Sequence, residues 1–196
     1  MAYAQLLKNI GKHISLNKKE ENYFISLLKE QEIKKKEFVL REGQLCKNIS
    51  YVISGTLRAY YLDKEGREST IMFAIADWWI TDMACFIDEQ SAMMFIEAIE
   101  NSSVFLLQKD DLDKLYIEIP KFERFFRIIM QNAYIREQLR VMQNLSLSAE
   151  ERYYSFLAKY PQIVKQVTQK QIASYLGITP EFLSMVRGKK NKRIIS

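Results

Sequence analysis

Five basic residues, Arg187, Lys189, Lys190, Lys192 and Arg193, fall within the last ten positions of the chain with no acid among them. Such a density suits the neutralisation of phosphates and release of their counterions, although a solvated basic tail has the same composition. The imbalance is regional. Residues 1–145 carry 20 basic and 21 acidic side chains, residues 146–196 carry nine and three, and together they make the net charge of +5. One window is the opposite: from Glu68 to Gln108 there is no Lys or Arg, while Glu68, Asp77, Asp82, Asp88, Glu89, Glu97 and Glu100 give −7.

Other chemistry is poorly supplied. Two cysteines, Cys46 and Cys85, and one histidine, His13, are too few for a zinc or iron–sulfur site, so no metal or cofactor is expected. Carboxylates are plentiful, but no nucleophile elbow, His-Glu-x-x-His, phosphate loop or dinucleotide fingerprint accompanies them, and an enzyme is not expected. His13 reads as a surface residue. With 196 residues, 48% hydrophobic, 12% aromatic and 27% charged, the chain holds one full-sized domain and a small one. It has no run of eighteen uncharged apolar residues, and the start MAYAQLLKNIGKH lacks a cleavable leader pattern. A soluble, cytoplasmic protein without a membrane partner is expected.

The most specific local pattern is near the basic cluster. Thr168-Gln-Lys-Gln171 is a capping box opening IleAlaSerTyrLeu, Gly177 is a stop, and Thr179-Pro180 restarts a helix with Thr179 at the N-cap and Pro180 at N1. Two short helices joined by a tight glycine turn form a helix-turn-helix. Ala173 is small where the helices approach, and Ile172, Leu176, Ile178, Leu183 and Val186 supply a shared core. Combined with the basic tail, the pattern favours DNA binding over a structural hairpin.

These residues need a platform. Asn17 and Glu20 form a capping box, with Tyr23, Phe24, Leu27 and Leu28 at helical spacing, which predicts a helix from Asn17 to about Glu32. Short β-favouring runs follow: FVL at 38, SYVI at 50, TLRAYYL at 56, STIMFAI at 69, MFIEAI at 94 and SVFLL at 103. Gly43, Gly55 and Gly66 punctuate them, and Asp63-Lys-Glu-Gly66 reads as a hairpin connection. The region 33–108 is therefore expected to be an antiparallel sandwich or barrel.

From Asp110 the period is helical. The run from Pro120 to about Asn144 contains neither Gly nor a second Pro. Phe125, Ile128, Asn132, Ile135, Leu139 and Met142 alternate by three and four, the seam of a coiled coil with one register-setting asparagine. Phe122, Phe126, Ile129, Met130, Ala133 and Tyr134 form a second stripe, suited to covering the β-domain. One wide intramolecular face is the other reading of the pattern; a homodimer helix is favoured. Ser148-Ala-Glu-Glu151 opens a further helix ending near Tyr160-Pro161.

This order resembles the cyclic-AMP receptor protein and fumarate-nitrate regulator (Crp/Fnr) superfamily of bacterial transcription factors over residues 30–188. FVLREGQLCKNISYVISGTLRAYYLDKEGRE resembles the first part of that family's β-roll, ADWWITDMACF the region of its phosphate-binding cassette, and TQKQIASYLGITPEFLSMVR its DNA-reading unit. The resemblance implies an α+β fold: an N-terminal double-stranded β-helix (a jelly-roll-like β-roll) with its helices in 1–110, a dimerisation helix in 111–145, and a winged-helix-like helix-turn-helix in 146–196. The wing is expected to be short or absent. It also implies a pseudo-palindromic double-stranded DNA operator, a homodimer, RNA polymerase as a further partner and a small-molecule effector.

Departures matter too. Cyclic-nucleotide-binding members have a Gly-Glu pair and a later Arg in the cassette; here Thr81-Asp82 and Ala92-Met93 stand near those places. A phosphate buried among carboxylates is costly, so cyclic AMP is not the expected effector unless Arg41, Arg58 or Arg67 reaches in. Trp78, Trp79, Asp82 and Met93 are the candidate effector pocket, in a region bulky enough to be filled core instead. The iron–sulfur branch of the family needs four cysteines. In the reading helix Pro180 and Met185 replace expected arginines, leaving Glu181, Ser184 and Arg187 to face the groove. Glu181 suits a cytosine amino group, Arg187 a guanine, and Met185 a thymine methyl, although Ser184 and Met185 also suit ordinary packing. Thr168, Gln169 and Lys170 suit phosphates, Gly188 is expected to end the helix, and Lys189 and Lys190 begin a phosphate-contacting tail. The expected function is a homodimeric, sequence-specific transcription regulator; the alternative is a ligand-sensing or protein-interaction module without operator binding.

Overall fold

The computed structural model describes residues 2–194, with side chains described as far as Gly188. Two helices, α1 (Ala2–Ile10) and α2 (Lys18–Ser26), precede strands β1 (Leu28–Ile33), β2 (Phe38–Leu40), β3 (Asn48–Ser54), β4 (Thr56–Leu62), β5 (Glu68–Ile75) and β6 (Trp79–Ile80). Helix α3 (Met83–Asp88) leads to β7 (Phe95–Ala98) and β8 (Ser102–Gln108). The rest is helical: α4 (Lys109–Glu118), α5 (Lys121–Ser146), α6 (Ala149–Lys159), α7 (Pro161–Gln166), α8 (Gln169–Leu176) and α9 (Pro180–Ile194).

The strands form two antiparallel four-stranded sheets, ordered β1-β8-β3-β6 and β2-β7-β4-β5. Val52 and Val104 of one sheet meet Leu57 and Ile96 of the other in a buried layer between them. Because side chains alternate across a strand, the intervening residues Ile49, Tyr51, Phe105 and Leu107 point out of the sandwich. They are buried by Leu6, Ile10, Phe24, Leu115 and Phe122 from the flanking helices. Turn chemistry fixes the register. Asp63 Oδ1 accepts the N–H groups of Glu65 (2.8 Å) and Arg67 (2.9 Å) in the β4–β5 hairpin. Gly55, between β3 and β4, has φ +84°, and an added Cβ would collide with Ser102.

The Asn17 capping box forms, with Glu20 N–H on Asn17 Oδ1 at 3.0 Å and the return bond at 2.8 Å. The helix ends at Ser26, not near Glu32 as its pattern implies. Residues 28–33 instead pair with β8, Leu28 opposite Leu107 through Ile33 opposite Ser102. A ladder of tertiary hydrogen bonds here overrides the helical preference of a Lys- and Glu-rich segment.

Helix α5 is 26 residues long, and its first two turns bury Phe122, Phe125 and Phe126. Phe125 meets Phe122 and Phe126 edge to face, Phe122 and Phe126 are tilted, and Phe125 and Phe126 both meet Trp79 edge to face, at centroid separations of 5.2 to 6.5 Å. Phe125 is therefore not part of an intermolecular seam. It is fully buried in its own protomer, because both apolar stripes converge on the β-sandwich at this end of the helix. Among the described residues, no helix is long and apolar enough to cross a membrane.

Candidate nucleic-acid interface

The α8–turn–α9 unit is built by its caps. Thr168 Oγ1 accepts the Gln171 N–H at 3.2 Å, and Gln171 Oε1 accepts the Thr168 N–H at 2.9 Å. Gly177 sits at φ +67°, the left-handed conformation that ends α8, and Ile178 N–H returns to Ala173 O at 3.0 Å. Thr179 Oγ1 accepts the Phe182 N–H at 3.2 Å and starts α9. Ile172, Ala173, Leu176, Leu183 and Val186 are buried in a core completed by Tyr153, Phe156 and Ile163.

With Leu183 and Val186 turned inward, the 100° step of a helix turns Glu181, Ser184, Met185 and Gly188 outward, flanked by Phe182 and Arg187. All six are exposed. The face therefore offers an acceptor, a hydroxyl, two apolar groups and a guanidinium around a glycine, where nothing lies within 4 Å of an added Cβ. Gly188 does not end the helix, since α9 continues to Ile194. Nothing in the fold requires a stop there, and a helical glycine costs only about 1 kcal/mol relative to alanine. The side chains of Lys189 and Lys190 lie outside the described residues. Thr168 and Lys170 are exposed beside α8, whereas Gln169 is half-buried, with its Oε1 unpartnered.

The opposite side of this unit is docked on the β-sandwich of the same protomer. Ser174 Oγ donates to Glu68 O at 2.7 Å and accepts the Thr70 N–H at 2.9 Å. The Thr56 hydroxyl lies between Glu100 Oε1, at 2.8 Å, and the Gln166 side-chain amide. Phe73 and Ile99 reach from the sandwich into the helical core. Arg140 of α5 donates to Ile71 O at 3.0 Å while its guanidinium lies 5.1 Å from the Tyr175 ring centroid. Burial pushes the Tyr175 phenol up to about 12. Docking uses α8 and leaves the outer face of α9 clear. Phe182, Ser174 and Arg140 were not singled out from the sequence. Phe182 carried a signal, an aromatic off the core spacing of Leu183 and Val186; Ser174 and Arg140 carried none.

Beyond its buried start, α5 presents an uncovered stripe. Asn132, Ile135, Leu139 and Met142 are exposed and Ile128 is half-buried; Tyr134, Val141 and Leu145 are exposed beside them.

The candidate effector residues separate. Trp78 and Trp79 line a cavity of about 550 Å³ between the sandwich and α5, together with Met72, Met94, Met130 and Asp77. Asp82 is buried as the N-cap of α3, accepting the Cys85 N–H at 3.3 Å and the Met93 N–H at 2.9 Å. Met93 is 61% exposed. Asp82 and Met93 thus hold a loop and do not line that cavity. Arg41, Arg58 and Arg67 do not line it, whereas Arg136 of α5 does, 4.9 Å from the Trp78 ring centroid and 3.7 Å from the Glu137 carboxylate. Arg58 is buried and bonded to Glu68 (2.8 Å), Glu97 (3.1 Å) and Thr70 (2.9 Å). Arg41 lies over the Phe38 ring, and exposed Arg67 pairs with Glu65. Much of the acidic window is engaged structurally: Asp77 accepts the Tyr51 hydroxyl, whose pKa is raised by burial and by this carboxylate.

Residues 30–118 match the family model of the cyclic nucleotide-binding domain. The chain is 27% identical over 173 residues to electron transport regulator A of Shewanella oneidensis, covering 82% of this chain and 68% of the relative. It is 24% identical over 190 residues to the fumarate and nitrate reduction regulatory protein of Vibrio cholerae, covering 91% and 75%. In fold it is similar to a putative transcriptional regulator of the crp/fnr family from Eubacterium rectale, with a TM-score of 0.71 at 22% identity over 87% of this chain and 82% of that one.

Proposed function

We propose that the chain is a transcription regulator of the Crp/Fnr type, as its similarity to electron transport regulator A and to the fumarate and nitrate reduction regulatory protein supports, and that two copies pair along α5 and set their α9 helices into successive major grooves of a pseudo-palindromic duplex. Residues 1–110 form the sensing part, 111–145 the pairing helix and 146–196 the reading unit. One short helix reaches few base pairs; two held about 34 Å apart read two half-sites one turn from each other.

The observation that carries this reading is the outer face of α9, exposed while α8 is bonded to the sheet. Glu181 accepts from a cytosine amino group, Arg187 forks onto a guanine, Met185 meets a thymine methyl and Ser184 serves either edge. Thr168, Gln169, Lys170, Thr179, Lys189 and Lys190 hold phosphates and set the register. Pairing uses Ile128, Asn132, Ile135, Leu139 and Met142. The protein works in the cytoplasm, with RNA polymerase as its further partner. Cyclic AMP is not its effector, since Arg58 is already neutralised by two carboxylates and Arg136, on the cavity wall, lies beside Glu137 and over Trp78.

Selection of bound duplexes from a random pool, followed by titration at increasing salt, tests the reading. The expected result is a palindromic consensus with affinity falling steeply as salt rises, and Arg187→Ala relaxing one symmetric position per half-site. Duplex binding that is absent, or insensitive to salt, overturns it.

A further inference from the structure

The two cysteines stand 39 positions apart in sequence and touch in the fold. The Cys46 main-chain N–H donates to Cys85 Sγ at 2.9 Å. Their surroundings differ. Cys46 is half-buried, between β2 and β3, on the wall of a cavity of about 380 Å³ shared with Lys47, Phe86 and Gln108. Its sulfur lies 3.0 Å from Thr81 Oγ1, a hydroxyl that donates to Asn48 O at 3.0 Å and can pivot toward a thiolate. Cys85 lies in α3 at 2% exposure and donates to Gln90 O at 2.7 Å.

We propose that Cys46 and Cys85 are a peroxide-oxidisable pair, Cys46 the attacking thiol and Cys85 the resolving one, closing an intramolecular disulfide between the β2–β3 loop and α3. The Cys46 thiolate attacks one oxygen of a hydroperoxide and the O–O bond breaks. The departing alkoxide, or hydroxide from hydrogen peroxide, takes up the proton that the thiol released to water on ionising and leaves as an alcohol or as water, and Cys46 becomes a sulfenic acid. Cys85 sulfur then attacks Cys46 sulfur. An S–S bond forms, the S–O bond breaks, and hydroxide leaves as water with the Cys85 proton. Two thiols lose two electrons and one peroxide gains them.

The geometry assigns the order. Cys46 lies on the wall of a space a small peroxide can enter, whereas Cys85 is covered and burial pushes its thiol up. When it does react, the main-chain N–H of Cys46 is already aimed at its sulfur and stabilises the developing thiolate. Closure turns the Cys46 side chain from Thr81 toward Cys85 and removes the Cys85 bond to Gln90 O. This pair is independent of the DNA-binding reading, and its test uses no DNA.

The reduced full chain is treated with hydrogen peroxide or cumene hydroperoxide, denatured with N-ethylmaleimide and weighed intact. The expected product is a non-crosslinked chain about 2 Da lighter than the reduced form, with neither cysteine alkylated and both restored by a phosphine. Cys85→Ala stops at a sulfenic acid on Cys46 that dimedone traps, and Cys46→Ala leaves Cys85 alkylatable. Two alkylated cysteines in the wild-type chain after excess peroxide, or a disulfide between two chains, overturns the proposal without recourse to the variants. Oxidation of Cys85 at an undiminished rate in Cys46→Ala overturns the assigned order.

Discussion

The two halves of α5 have similar composition and opposite surroundings. In the first half, Phe122, Phe125 and Phe126 are sunk in an aromatic cluster with Trp79. In the second, Ile135, Leu139, Met142 and Leu145 stand exposed, Leu145 at 84%. Apolar side chains left in water over several turns mark a surface that awaits a partner, since their burial drives association as it drives folding. The same helix is thus a core element at one end and, in the proposed dimer, the pairing surface at the other. On its remaining side the second half is tied to its own protomer through Arg140 and Ile71 O.

The sharpest way to break this contrast is to substitute matching positions in each half. Phe125→Ala is expected to cost about 3–5 kcal/mol of unfolding free energy, at every protein concentration, in a denaturant titration. Ile135→Lys is expected to leave the monomer folded while weakening pairing by about 2 kcal/mol or more. Sedimentation shows the protomers separating, and affinity for the selected duplex falls with them. An unchanged sedimentation profile contradicts the seam. Arg140→Met removes a charged donor from a main-chain acceptor and a cation from an aromatic face. The docked reading unit loosens by about 1.5 kcal/mol, read as faster proteolysis near Leu147 without loss of pairing. The smallest effect sharpens the comparison: Asn132→Leu changes monomer stability by no more than about 0.5 kcal/mol, yet tightens pairing and mixes its registers in crosslinking patterns.

The sequence made some of this architecture legible because local chemistry decided it. The capping boxes at Asn17, Ser148 and Thr168 and the turn at Gly177 are closed by residues within three or four positions, so their patterns carry the outcome. Where distant partners decided, the pattern misled or was silent. Residues 28–33 are polar enough for an exposed helix and become a strand only because β8 is beside them. Phe125 and Ile128 share one heptad spacing, and spacing alone does not show that the sandwich reaches the first and not the rest. Ser174 is an ordinary mid-helix serine until β5 meets it. Asp82 shows the same rule: its place before MetAlaCysPhe is that of an N-cap, and its carboxylate is spent on the Cys85 and Met93 N–H groups, not on a ligand.

The Ser174 hydroxyl bonds to two main-chain groups of β5, and β5 is one arm of the hairpin that turns at Asp63–Gly66. In the proposed dimer, the pitch of each α9 would therefore be inherited from the coil of that ribbon. Altering the ribbon's curl far from any base would change how many base pairs separate two preferred half-sites, making operator length a ruler for sheet geometry.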